Sequence, residues 1–157
     1  MTHSPAVLKQ ALTHVLAQRD QWWSTLEYDP ENRWFRTWPC PIEAAEIRLM
    51  TWLPEQGTGL HDHGGSSGAF HVVSGVVREQ VATRTVRGTY EIREKTHQTG
   101  DTRVFGTTYI HDMTNVEITP AVSIHIYAPS LTTLTRYHWN SLGPAAYMTD
   151  DVSAARA

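Results

Sequence analysis

The chain of 157 residues has a single cysteine, no basic stripe and no long apolar run, and each of these absences removes a class of function. With Cys40 alone, no intramolecular disulfide can form, which agrees with a reducing compartment. It lies between Pro39 and Pro41 with no base beside it, so it is expected to be a structural thiol in a stiff loop and not a nucleophile. The 13 Lys and Arg are outnumbered by 16 Asp and Glu, and the net charge of -3 excludes the electrostatic footprint of a nucleic-acid binder. A small-molecule partner is expected instead. No apolar stretch approaches the ~20 residues that cross a bilayer. Met1-Thr2-His3-Ser4 has neither the basic nor the apolar region of a signal peptide, so the expectation is no membrane and a cytoplasmic location. There is no internal repeat or low-complexity tract, and the length suits one hydrophobic core, so residues 1–157 are read as a single domain.

What is present falls into two parts. Ser4-Pro5 reads as an N-cap followed by proline at the first helical position, and Val7, Leu8, Leu12, Val15 and Leu16 recur at helical spacing. An amphipathic helix over about 4–20 is expected to cap the fold. Trp22 to Pro41 mixes aromatics and prolines without a period and reads as loop and short turns. Short β-branched and aromatic runs follow: Ile47–Leu53, Ala69–Val77, Val81–Val86, Tyr90–Arg93, Thr102–Phe105, Val116–Ile118 and Val122–Ala128. Gly, Asp and Pro punctuate them at the spacing of antiparallel sandwiches and barrels. The prediction is an all-β jelly-roll barrel over about 45–139, with a loosely held tail over about 143–157.

His61-Asp62-His63 puts two imidazoles on one face of an extended segment, where both can reach one metal. His111 supplies a third. These spacings resemble the two cupin motifs. In the first, His-x-His is followed by an acidic ligand and then a glycine, at positions held here by Gly68 and Gly75; the second matches Gly100, His111 and Asn115. Departures are Glu55, Gly106 and Thr108, where the motifs have glycine, proline and glycine. Gly68 removes the carboxylate of a four-ligand site. Three neutral imidazoles leave a dication's charge uncompensated, so Fe(II) on this face keeps open positions that attract an anionic donor such as a thiolate. Zn(II) suits the same three imidazoles, and spacing does not choose between them.

In Val122–Ala128 the apolar residues take one face and Ser123, His125 and Tyr127 the other. That polar row either faces solvent from an open sheet or lines a barrel interior, where hydroxyl, imidazole and phenol would orient one proton. The order of residues from His61 to Pro129 resembles the thiol dioxygenases of the cysteine dioxygenase family. LHDHGGSSGAFHVVSGVVRE looks like the bacterial form of its metal segment, and TPAVSIHIYAP like the strand bearing its Ser-His-Tyr triad. The resemblance covers about 33–139. It implies a cupin jelly-roll fold, Fe(II) on His61, His63 and His111, and a catalytic triad of Ser123, His125 and Tyr127. It further implies a small thiol, most of all L-cysteine, and O2 as reactants. In the mammalian members a cysteine near the metal is crosslinked to the triad tyrosine; Gly68 stands there, so no Cys-Tyr cofactor is expected.

The family's cysteine-specific members hold the substrate carboxylate with an arginine upstream of the metal segment, and Arg36 is taken for that position, with Arg33 beside it. Arg136 is where the clamp of a 3-mercaptopropionate dioxygenase would arise. Gly64-Gly65-Ser66-Ser67-Gly68 lacks the lysine of a phosphate loop and reads as a tight barrel turn. A non-catalytic ligand-binding cupin and a zinc or nickel cupin are the competing readings.

Overall fold

The N-terminal helical stripe forms α1 (Pro5–Leu16) in the computed structural model, which describes residues 3–153. The Ser4 hydroxyl accepts from Val7 N at 3.4 Å, and Leu8, Ala11, Leu12 and Val15 form the buried face. The helix stops short of Asp20 because other groups take the Val15 carbonyl: Gln18 N at 3.0 Å and the Trp22 indole at 2.9 Å. A second short helix, α2 (Arg19–Trp22), and a 3-10 turn over Trp23–Thr25 follow, and Trp22 is fully buried beneath α1.

Ten strands follow among the described residues: β1 (Phe35–Trp38), β2 (Glu46–Trp52), β3 (Ser67–Ser74), β4 (Val76–Arg84), β5 (Tyr90–Gln98), β6 (Thr102–Phe105), β7 (His111–Thr114), β8 (Ala121–Ala128), β9 (Thr133–Asn140) and β10 (Gly143–Asp151). One wall is a five-stranded sheet in the order β1-β2-β8-β3-β6; the other comprises β5-β4-β7 and the β9-β10 hairpin. His61 joins the two parts of the second wall, bridging to His111 on β7 and to Arg136 on β9. Met50, Trp52 and Phe70 from the first wall pack with Val77 and Met113 from the second, so the inner core lies between the walls. This is the expected all-β jelly roll with a helical cap.

Within the five-stranded sheet β2 and β8 are buried on both faces, every residue of each being buried. Val122, Ile124, Ile126 and Ala128 pack with Leu8, Leu12 and Val15 of α1 on the outside. The helical cap therefore settles the two readings of the polar row: the apolar face is covered by α1, and Ser123, His125 and Tyr127 face the interior.

Several boundaries differ from expectation. Ala69–Val77 is divided at Gly75, whose φ of 82° turns the chain where an added Cβ would meet Pro120 O at 2.8 Å. Val116–Ile118 is a loop despite its β-branched residues. Asn115 holds it as a turn, donating to Trp52 O at 3.0 Å and Thr119 O at 2.8 Å and accepting from Glu117 N at 2.9 Å. The strand there is His111–Thr114 instead. Phe35–Trp38, expected as loop, is an edge strand paired with β2. The tail expected to be loose is paired to β9 from Gly143 to Asp151, and residues 154–157 of that call lie outside the described residues.

Candidate metal centre

The backbone of His61 exchanges two 3.0 Å hydrogen bonds with His111, fixing the two segments side by side. Asp62 points the other way and is anchored on β9, accepting from Tyr137 OH at 2.8 Å and Thr135 N at 3.1 Å. The alternation forces His63 back to the side of His61. Ring centroids of His61, His63 and His111 are 4.8 to 5.0 Å apart, and one ligand atom from each lies within 4.8 Å of the others.

These residues fit a divalent cation. His61 Nδ1 is engaged by Gly59 O at 2.9 Å and His111 Nδ1 by Glu79 Oε1 at 2.8 Å, which leaves Nε2 of both rings free to ligate. His63 is held by packing: its ring stacks on Phe105 at 4.6 Å and on Tyr127 at 5.5 Å, and its Nδ1 is buried with no hydrogen-bond partner among the described residues. Burial, then the neighbouring His111, keeps His61 and His63 well below the ordinary imidazole pKa, the neutral state a metal requires. No carboxylate among the described residues joins the cluster. At Gly68 there is no room for one, since an added Cβ would meet Phe105 Cζ at 2.6 Å and the Ile126 carbonyl.

The polar row runs from Trp52 to Tyr127. The Trp52 indole donates to Ser123 Oγ at 2.8 Å, Ser123 Oγ lies 2.8 Å from His125 Nε2, and His125 Nδ1 lies 3.3 Å from Tyr127 OH. With the Ser123 proton on the bond to His125 Nε2, the imidazole proton sits on Nδ1 and is donated to the tyrosine oxygen; the other tautomer reverses both bonds. Burial, only partly offset by Arg48 and Arg33, pushes the Tyr127 phenol up to about 12, so it keeps a proton to donate.

His61, His111, His125 and Tyr127 line a small cavity of about 30 Å³ together with Arg33, Arg48 and apolar side chains. Arg36 is not among them. Phe35 pairs with Met50 and packs on the inner core, so Arg33, two residues before it, shares the inner side; Arg36 is one residue out of phase and exposed on the other. Arg33 stacks over Trp52 at 5.0 Å. Arg136 is turned to Asp150 Oδ2 at 2.8 Å and Thr58 O at 3.2 Å. Arg48, in β2, is buried with Glu46 Oε1 2.9 Å from its Nε and stacks 4.5 Å over Phe35.

Motif spacing does not reveal Trp52, Arg48 or Glu79. Glu79 had a signal, since it stands between Val77 and Val81 at the inward phase of β4, where a carboxylate is out of place.

The depressed imidazoles give a pH dependence to the metal-free protein. His61, His63 and His125 are lowered by burial first and then by His111, while in the unfolded chain they titrate near ~6.5. Above that pH both states are neutral and stability is at its full value. As pH falls below it the unfolded chain takes up protons that the folded chain refuses, at up to about 1.4 kcal/mol per histidine per pH unit. Chelator-treated protein should therefore melt at progressively lower temperature between pH 7.5 and 5.5, and a melting temperature flat across that range would contradict the neutral, buried assignment.

Solved structures of low identity share the fold. A protein from Thermus thermophilus superposes with a TM-score of 0.55 at 21% identity, over 69% of this chain and 93% of its own. A conserved Klebsiella pneumoniae protein with a double-stranded β-helix domain gives 0.55 at 13% identity, over 82% and 93%. Oxalate oxidase with the substrate analogue glycolate gives 0.54 at 15% identity, over 63% and 52%. These likenesses concern the fold alone, which is that of a cupin. No curated protein sequence matches the chain significantly. The family model of cysteine dioxygenase type I matches residues 9–140, and the chain belongs to that family. Membership supports thiol-dioxygenase chemistry at the three-histidine site. No helix among the described residues is long and apolar enough to cross a membrane.

Proposed function

We propose that this protein is a cytoplasmic, Fe(II)-dependent cysteine dioxygenase that joins L-cysteine and O2 into cysteine sulfinic acid. The reaction RSH + O2 → RSO2H balances without an external reductant. The observation that carries the reading is the Trp52-Ser123-His125-Tyr127 chain, which delivers a phenol to the same small cavity as His61 and His111 of the three-histidine cluster and the buried Arg48.

Bound iron would supply a cation for the thiolate and a one-electron donor toward O2, with His61, His63 and His111 as its protein ligands. Zinc fits the same nitrogens but has no redox chemistry. In the tautomer in which His125 Nδ1 donates to its oxygen, Tyr127 keeps its own proton for the cavity. Arg33 is the reading's carboxylate clamp: it reaches the cavity, whereas Arg36 does not, and a guanidinium matches a carboxylate with two parallel donors. Arg136 is committed to Asp150, which favours cysteine over 3-mercaptopropionate. Met50, Trp52, Met113, Leu131 and Leu134, with Thr58, complete the lining of the cavity.

Oxygen uptake by iron-loaded protein, compared for L-cysteine, 3-mercaptopropionate and cysteamine, tests this directly. L-cysteine should be fastest. A clear preference for 3-mercaptopropionate would move the assignment to that substrate, and no uptake with any thiol would favour a non-catalytic cupin.

The same reading has Tyr127 unmodified. Gly68 lies directly opposite Tyr127 across β3 and β8 and brings no sulfur. Cys40 packs against the cluster under α1, whereas Tyr127 belongs to the inner one, so the sheet separates them. Burial also pushes the Cys40 thiol up, which lowers its reactivity. Peptide mapping should find free Cys40 and unmodified Tyr127, and a thioether between them would contradict the placement of both.

A further inference from the structure

Glu79 is buried to 1% exposure and its carboxylate accepts three hydrogen bonds: from His111 Nδ1 at 2.8 Å, His97 Nε2 at 2.7 Å and Tyr109 OH at 2.7 Å. The strand register builds this arrangement. Val81 is paired with His111 across β4 and β7, and Val77 with His97 across β4 and β5, so Glu79 lies diagonally between both imidazoles on the inward face. Phe70 holds the His97 ring edge-on at 5.0 Å, and Arg103 Nε donates to Tyr109 OH at 3.1 Å. Three donors converge on its two oxygens, surroundings that suit an ionised carboxylate, which can only accept.

No Lys or Arg among the described residues forms an ion pair with this carboxylate. An ionised group in the interior is costly unless an opposite charge lies close by. Arg103 reaches it only through the Tyr109 hydroxyl, and a second place for a positive charge is the far side of His111, where its ring joins the three-histidine cluster. At Gly68, where a ligand carboxylate would stand, Phe105 and the Ile126 carbonyl exclude any side chain. The cluster thus lacks a negative ligand, and the barrel has a buried negative charge one imidazole away.

We propose that Glu79 is the charge-compensating positioning residue of the metal centre: through the His111 Nδ1–H bond it supplies the negative charge that no ligand at position 68 can. It fixes His111 with Nε2 toward the cation and increases the donor strength of that nitrogen. His97 and Tyr109 hold the carboxylate in place. This rests on the reading of the three histidines as a metal centre.

Glu79→Gln separates charge from orientation. A Gln oxygen can still accept from His111 Nδ1. The Gln amide then needs an acceptor, which His97 provides by moving its proton to Nδ1, a buried atom with no hydrogen-bond partner among the described residues. Co(II) and Fe(II) affinities are measured by chelator competition, together with the Fe(III)/Fe(II) potential and the melting temperature of the metal-free protein. Glu79→Gln should bind both metals roughly 10- to 100-fold more weakly and shift the potential upward, because the ferric state loses more from a missing negative charge. Glu79→Asp, which keeps the charge, should recover much of both and serves as the comparison with wild type should Glu79→Gln melt below the assay temperature. Glu79→Gln with wild-type affinity and potential, or Glu79→Asp impaired in both by 10-fold or more, would overturn this role while leaving the metal centre intact. Wild-type protein that binds neither metal would overturn both.

Discussion

Replacing Arg33 with alanine should collapse L-cysteine turnover while leaving Arg36→Ala close to wild type. Arg33 lies in the cavity beside Trp52, so its loss leaves a substrate carboxylate unpaired in a partly desolvated site. That costs on the order of 2 to 5 kcal/mol, or roughly 30- to 5,000-fold in kcat/KM. Arg36 is exposed on the opposite side of β1 and its replacement should stay within about 0.5 kcal/mol. Cysteamine has no carboxylate, so Arg33→Ala should change its slow oxidation far less. With two thiols tested on each variant, general damage to the fold by a substitution would lower that variant's rates with both thiols together. If Arg36→Ala is the damaging change, the phase of β1 relative to the cavity is wrong.

His61→Ala, His63→Ala and His111→Ala should each lose metal by more than the roughly 10- to 100-fold expected for loss of a hydrogen-bond partner behind a ligand, and all should lose oxygenation. Their side effects differ for structural reasons. His61→Ala is the mildest, since its Nδ1 contact is to a loop carbonyl and the backbone bonds to His111 remain. His63→Ala also opens space between Phe105 and Tyr127 and loosens the phenol. His111→Ala removes one of the three donors to buried Glu79 and should lower the melting temperature of the metal-free protein most. Metal content after chelation and reloading, read beside the melting curve, checks each variant. Stoichiometric iron in any one of them would remove that residue from the centre.

The ligand triad was legible because its chemistry is local: His-x-His in extended backbone has only one geometry, and His111 sits at motif spacing from it. The Ser123-His125-Tyr127 row was legible as an alternation, but its direction depended on α1 covering the opposite face of β8, which no single strand encodes. Arg36, expected from the sequence as the carboxylate clamp, lies outside the cavity that Arg33 lines. Arg33 and Arg36 differ by three residues, an odd number, so choosing one instead of the other flips the side of the strand. Glu79 was hidden because its partners come from β5 and β7, and only pairing of those strands with β4 brings His97 and His111 to it. The β9-β10 hairpin escaped notice because Gly143-Pro144-Ala145-Ala146 has little strand propensity; backbone pairing with β9 and contacts such as His138 stacked on Tyr147 at 3.9 Å hold it.

The most direct test of the account is the fate of isotopically heavy O2 during turnover of L-cysteine by the iron-loaded protein. The proposed function, with iron on the three histidines, the Tyr127 phenol at the cavity and no requirement for a reductant, predicts one product, cysteine sulfinic acid, with both of its new oxygen atoms labelled and one O2 consumed per thiol. Cystine as the main product, or sulfinic acid carrying oxygen from water, would contradict it.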